Sequence, residues 1–289
     1  MDSVLVKGPG LPLFLRSLDR LNSQHDRGEG DGGGQRWDGR LRKFIFAEGS
    51  LGPDEAPIIF PLLLRGLESL SLKGNAIGIE GMKALAEEIR SGRASSLRIL
   101  DLQDVGLSEE FMRAFCEAIK ERPFRVKTLK MSGKSLDDEA LKVFISALSV
   151  DSLPYVRHLV MAACGVSPEG WAEFFTKVVG EGHLRTLESI CLERNAGLCS
   201  CLGAVGGFLR SDVVPCLKNL NLMTEEGIGD GVGTEKFLSA LSAPTGGPPL
   251  EDVQVHLRNL NEKSVRALGA GQHSTLLSEL SGCGWASLQ

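Results

Sequence analysis

Seven stretches of the chain place an apolar residue at positions one, four and six of a short pattern, beginning at Leu67, Leu97, Val126, Val156, Leu187, Leu217 and Leu250. The steps between them are 30, 29, 30, 31, 30 and 33 residues. Self-similarity at such a period marks a solenoid in which each copy is one strand-helix unit. One copy cannot bury its apolar faces alone. Stacking pairs the strands in parallel, packs the helices outside, and runs one core along the axis. The expectation is therefore a single elongated domain whose function lies in surface recognition and not in buried chemistry.

The copy from Leu67 continues through Leu70 and Leu72 to Asn75 at position nine and Ile77. The others align with it as Leu97, Leu100, Leu102, Val105, Leu107; Val126, Leu129, Met131, Lys134, Leu136; and Val156, Leu159, Met161, Cys164, Val166. Then come Leu187, Ile190, Leu192, Asn195, Leu198; Leu217, Leu220, Leu222, Glu225, Ile228; and Leu250, Val253, Val255, Arg258, Leu260. A weaker copy lies upstream at Leu41, Phe44, Phe46, Gly49 and Leu51, and a truncated one opens at Val4, Val6 and Leu11. Alternation around positions four and six is strand-like, and the period beyond position nine is helical. Ile79, Met82, Leu85, Ala86 and Ile89 share one helix face, as do Phe111, Phe115, Ala118 and Ile119. The same stripe recurs at Leu141, Phe144, Ile145, Leu148 and at Trp171, Phe174, Phe175, Val178. Ser108, Ser167 and Asn261 stand before acidic first turns, as helix caps do.

The run from Leu67 to Gly92, LESLSLKGNAIGIEGMKALAEEIRSG, resembles a leucine-rich repeat of the ribonuclease-inhibitor subfamily. Leu67, Leu70, Leu72, Asn75, Ile77, Gly78, Gly81, Ala84, Leu85, Ala86 and Ile89 match its pattern. The resemblance covers about residues 41–280. It implies an α/β fold: a right-handed β-α superhelix, or horseshoe, with a parallel sheet on the concave face and helices on the convex face. Departures lie at position nine, where Val105, Lys134, Cys164, Glu225 and Arg258 replace Asn. An Asn there satisfies backbone groups at the bend, so looser turns are expected without it. Gly203, Gly206 and Gly207 weaken the helix after Asn195.

This gives three segments: a partial first repeat with a Gly-rich insertion (1–40, the insertion at about 22–40), a solenoid of about eight repeats (41–280), and a tail (281–289). Residues 242–249 read as a turn or exposed loop that lengthens one repeat. With 42% apolar residues, a chain of 289 can bury a long continuous core. Its net charge of −5 and the lack of a clustered basic stripe in the sequence argue against a nucleic-acid partner. No apolar run reaches the roughly 18 residues that span a membrane. Met1-Asp2-Ser3-Val4 does not open a secretory signal, and seven cysteines, mostly at apolar positions, suit a reducing interior; a cytoplasmic location is expected. The truncated first copy leaves little room for a polar N-terminal cap, so the solenoid is expected either to continue in a longer protein or to meet a partner at its first strand.

Motifs of catalytic or cofactor chemistry are incomplete. Gly28, Gly30 and Gly33 make a GxGxxG string without the strand before it and the helix after it that a dinucleotide needs. Gly133-Lys134-Ser135 mimics the end of a phosphate loop, but Thr128 stands where its first glycine belongs. His25, His158, His183, His256 and His273 are scattered, and Cys199-x-Cys201 lacks a second half. Asp137, Asp138 and Glu139 complement a helix dipole without catalysis. The expectation is no enzyme, no metal and no cofactor.

Outward strand residues would line the concave face. They read Lys43, Ile45, Ala47; Ser69, Ser71, Lys73; Ile99, Asp101, Gln103; Thr128, Lys130, Ser132; His158, Val160, Ala162; Ser189, Cys191, Glu193; Asn219, Asn221, Met223; and Asp252, Gln254, His256. Its lysines and acids balance. Ile99, Val160, Ala162 and Cys191 would form an apolar strip among hydroxyls and amides, as at the centre of a protein interface; single exposed apolar residues are also ordinary on any surface. The expected function is a scaffold binding a protein or peptide there through Ser71, Lys73, Ile99, Asp101, Gln103, Lys130, His158, Val160, Ala162, Cys191, Glu193, Asn219 and Asn221. The alternative implied by the resemblance is a GTPase-activating protein like the one acting on Ran, with a small GTPase as partner, although that family's long acidic tail is missing. A ribonuclease-inhibitor-like role is disfavoured by the balanced charge.

Overall fold

The computed structural model describes residues 3–6, 42–46, 48–148, 153–181, 184–209, 214–225, 227, 233–241 and 248–256. The Gly-rich insertion, the GxGxxG glycines, Leu11, Leu41, Ala47, Ile228, Arg258, Leu260, Asn261 and the tail 281–289 lie outside them.

Among the described residues nine strands form one parallel sheet in chain order. They are β1 (Ser3–Val6), β2 (Lys43–Phe46), β3 (Ser69–Ser71), β4 (Ile99–Asp101), β5 (Thr128–Lys130), β6 (His158–Val160), β7 (Ser189–Cys191), β8 (Asn219–Asn221) and β9 (Asp252–Gln254). Position four sets the register throughout: Val4, Phe44, Leu70, Leu100, Leu129, Leu159, Ile190, Leu220 and Val253 are consecutive partners. A slip of one residue would turn this apolar row to the opposite face, so burial fixes the pairing. From Phe44 onward the row is buried. From β3 onward position six lies just past the strand, yet its amide still reaches the next repeat: Leu72 N donates to Asp101 O at 2.9 Å, and Met131 N to Val160 O at 2.8 Å.

From β2 onward seven helices among the described residues alternate with these strands: α1 (Ala56–Leu63), α2 (Gly78–Arg90), α3 (Glu109–Glu121), α4 (Asp138–Ala147), α5 (Pro168–Glu181), α6 (Leu202–Leu209) and α7 (Thr234–Leu241). Each packs on the next. Their inward stripes are the expected ones, except that Ile79 is only half-buried. The Ser108 hydroxyl caps α3 by accepting from Phe111 N at 3.4 Å, and Asp137 Oδ1 caps α4 by accepting from Ala140 N at 3.0 Å. Ser167 Oγ accepts from Gly170 N at 3.1 Å at the start of α5. Asp138 Oδ1 accepts from Ser167 N at 2.8 Å and so ties one cap to the next repeat. Trp171, Phe174, Phe175 and Phe208 stack between α5 and α6, with successive ring centroids 5.9, 5.3 and 5.3 Å apart. The glycine-weakened segment after Asn195 becomes a 3-10 turn (Ala196–Ser200) and the short α6.

The turns after the strands hold a surprise for the repeat pattern. Looser bends were expected where Asn is missing, but position eight is left-handed in five successive repeats whether or not Asn follows it. Its φ values are 68° at Gly74, 55° at Asp104, 122° at Gly133, 50° at Ala163 and 59° at Arg194. The same amides donate across to the next repeat, from Gly74 N to Gln103 O at 2.9 Å through to Arg194 N to Met223 O at 2.7 Å. The inter-strand ladder, and not the Asn side chain, dictates the path of the bend.

Candidate functional site

Helices cover one face of the sheet and leave the other open. Along β3 to β8, position four is buried while positions three and five are mostly half-buried or exposed. Three parallel rows therefore run across the open face. The first contains Ser69, Ile99, Thr128, His158, Ser189 and Asn219 in register; the second contains Ser71, Asp101, Lys130, Val160, Cys191 and Asn221. The third, just past the strands, contains Lys73, Gln103, Ser132, Ala162 and Glu193.

The structure corrects the expected apolar strip. Ala162 is buried, with 7% of its surface exposed, and adds little to such a strip. Ile99, 40% exposed, stands in the first row, two strands away from Val160 in the second. What is contiguous is the adjacent pair Val160 and Cys191. Asp101 is also corrected: it is buried, its Oδ1 accepts from Gln103 N at 3.1 Å, and its other oxygen lies 3.5 Å from Lys130 Nζ. Both charges of this pair are spent within the sheet. Gln103 Nε2 donates to Ser132 Oγ at 3.1 Å, and that hydroxyl accepts from Ala162 N at 2.9 Å. The middle of the face is thus a set of side chains held by their neighbours, whereas Lys73 and Ile99 project freely. On the far side Asn221 Nδ2 donates to Glu193 Oε2 at 3.4 Å.

Four of the thiols are held away from nucleophilic chemistry by burial. Burial raises Cys116, Cys164 and Cys201 to about 12, and raises Cys191 in the same direction. All remain protonated at neutral pH, and the thiolate is the reactive form. The Gly133-Lys134-Ser135 run lies in the turn after β5, where Lys134 and Ser135 are exposed and no phosphate loop is built around them. Among the described residues no three His, Cys, Asp or Glu side chains gather as metal ligands, and no helix is long and apolar enough to cross a membrane.

One row escaped the sequence reading. Position two, directly before each strand, reads Arg42, Glu68, Arg98, Lys127, Arg157, Glu188, Lys218 and Glu251. Their amides and carbonyls form a continuous ladder, including Lys127 N to Arg98 O at 2.7 Å and Arg157 N to Lys127 O at 2.8 Å. Signs alternate and pair at both ends: Arg42 with Glu68 at 3.6 Å, Arg157 with Glu188 at 2.8 Å, and Lys218 with Glu251 at 2.7 Å. In the centre three cations follow one another. The signal was present in the aligned repeats, one residue before the positions that were inspected.

No protein-family model matches the sequence, and no curated protein matches it with significance. What the chain presents is a class: an α/β protein of stacked strand-helix repeats, with a single parallel sheet open on one face.

Proposed function

We propose that the chain is a non-enzymatic leucine-rich-repeat interaction module of horseshoe form, and that its concave face binds a protein or peptide partner. The reading rests on one observation: the outward rows of the sheet, Asp101, Ser132 and Ala162 excepted, remain accessible although every inward residue from Phe44 to Leu220 is buried under helices. A sheet face left open across seven repeats is extended, shallow and polar, which suits a macromolecular surface better than a small substrate. The adjacent Val160 and Cys191, flanked by His158, Ser189 and Asn221, supply an apolar centre with a polar surround. Lys73, Gln103 and Glu193 extend the contact along the third row, with Ser71, Lys130 and Asn219 between.

The test is replacement of Val160 and Cys191 by Asp, followed by pull-down and thermal melting. Loss of specific partners with an unchanged melting temperature supports the reading; unchanged binding removes the face from consideration. GTP hydrolysis by small GTPases, measured with and without the chain, separates it from the GTPase-activating alternative, since a scaffold leaves the rate unaltered.

A further inference from the structure

At the rim where the strands begin, Arg98, Lys127 and Arg157 occupy successive rungs of the position-two ladder. Like charges on directly neighbouring strands destabilise a sheet, and elsewhere in this row the sign alternates. Glu188 takes up Arg157. Arg98 and Lys127 have no acidic partner among the described residues, nor have Arg122 and Arg125 in the loop that leads into β5. The nearby acids are already engaged: Glu88 by Arg93 at 2.5 Å, and Glu121 and Glu117 by Arg90 at 3.1 and 3.7 Å. Four cations are left without an acid: Arg122, Arg125 and Lys127, close together in sequence, and Arg98 one repeat earlier. The Arg98 guanidinium donates to Ser95 O and Leu97 O, and that of Arg122 to Arg90 O, so each keeps further N–H groups for an anion.

Beside them the loops into β4 and β5 enclose a cup of about 400 Å³. Ile89, Ala94 and Phe124 form its buried apolar floor, while Arg122, Arg125 and Ser95 are exposed around it. The Arg125 guanidinium lies 5.7 Å from the ring centre of the exposed Tyr155. Clustered arginines recognise acidic motifs through charge-assisted hydrogen bonds, and a recess with an apolar floor and a polar wall accepts the end of one side chain.

We propose that this rim binds an acidic protein segment that carries an apolar side chain: the carboxylates meet Arg98, Arg125 and Lys127, and the apolar group enters the cup. A recessed apolar floor does not insert into a bilayer as protruding side chains do, and four cations beside a single exposed ring make a poor platform for stacked bases. The site is separate from the open face and stands or falls independently of the function proposed for it.

The probe is a short fluorescein-labelled peptide of glutamates flanking one phenylalanine, titrated with the full chain and followed by anisotropy. Binding should weaken by roughly tenfold or more in an Arg125→Glu/Lys127→Glu double variant, by less in Lys127→Gln, and steeply with added salt. Both side chains are exposed, so the melting temperature should hold, which distinguishes a lost site from a lost fold. The Val160→Asp/Cys191→Asp variant should bind the peptide as the parent does. Equal affinity of parent and double variant overturns the proposal, as does equal affinity for a peptide with glycine in place of phenylalanine. Tighter, Lys127-dependent binding to phosphatidylserine vesicles or to single-stranded RNA overturns the partner class.

Discussion

The bends at Asn75 and at Cys164 follow the same backbone path with very different side-chain support. Asn75 is fully buried; its Oδ1 accepts from Ser50 N at 3.0 Å and Leu51 N at 2.9 Å, and its Nδ2 donates to Leu72 O at 3.1 Å and Lys73 O at 3.0 Å. Cys164 reaches two carbonyls through sulfur, Ala162 O at 3.6 Å and Met131 O at 3.8 Å. Met131 O corresponds, one repeat earlier, to Met161 O, to which Asn195 Nδ2 donates at 2.7 Å. A thiol is a weak donor and supplies no strong acceptor. The repeat therefore tolerates the loss of its clamp because the ladder of backbone bonds between neighbouring copies already fixes the turn. The clamp adds stability to a geometry that it does not create.

The largest effect should come from Asn75→Ala. It leaves the Ser50 and Leu51 amides and the Lys73 carbonyl without their side-chain partner, while Leu72 O keeps the Asn75 amide at 3.1 Å, and each unsatisfied buried group costs about 1–3 kcal/mol. A loss of at least about 3 kcal/mol is expected in urea unfolding. A loss under about 1 kcal/mol would mean that water or a shifted backbone replaces the side chain, and the contrast with Cys164 would dissolve.

The reciprocal change, Cys164→Asn, should stabilise the fold by about 1–2 kcal/mol, since it replaces sulfur contacts by amide hydrogen bonds of ordinary strength. The variant sharpens the comparison: a neutral or negative result would show that the bend at Cys164 is too tight for the larger side chain. Gly165 bears on this, because a Cβ built there would come within 2.3 Å of Lys134 O, so the strand-to-helix turn lies hard against the preceding repeat.

Repeat number, register and inward face were legible because one physical quantity, burial of a residue that recurs about every thirty positions, governs all three. Leu100, Leu129 and Leu159 are the partners that the spacing implies. The open face was legible only as a set of positions. Whether an outward residue is available depends on lateral contacts between repeats, which a single-repeat pattern does not encode. Ala162 and Asp101 are buried for that reason, the first in the turn beside Ser132 and the second beneath Lys130. Ile99 is detached from Val160 because it stands at position three and Val160 at position five, two strands apart. The basic rim was hidden for a related reason: Arg98 joins Arg122, Arg125 and Lys127 only after the repeats are stacked, and a linear scan for basic runs averages these charges with Glu117, Glu121 and Glu88, which are bound elsewhere.

The smallest effect probes the weak clamp through its proton. Burial raises the Cys164 thiol from 9.0 to about 12, and Cys116 and Cys201 move likewise. Between about pH 9 and 12 the unfolded chain has released these protons while the folded chain retains them. The unfolded state thus binds fewer protons, so stability must fall as pH rises through that window and is complete below it. Each thiol should remove less than about 1 kcal/mol by pH 9.5. Lys83, Lys142 and Lys218 are each held above 10.5 by a hydrogen-bonded glutamate, so they stay protonated at that pH. Urea midpoints at pH 8 and 9.5 should therefore differ less for Cys164→Asn than for the parent, by about one third of the thiol contribution if the three act alike. An identical drop in both proteins would place the Cys164 sulfur in water, leaving the bend there with the backbone ladder alone.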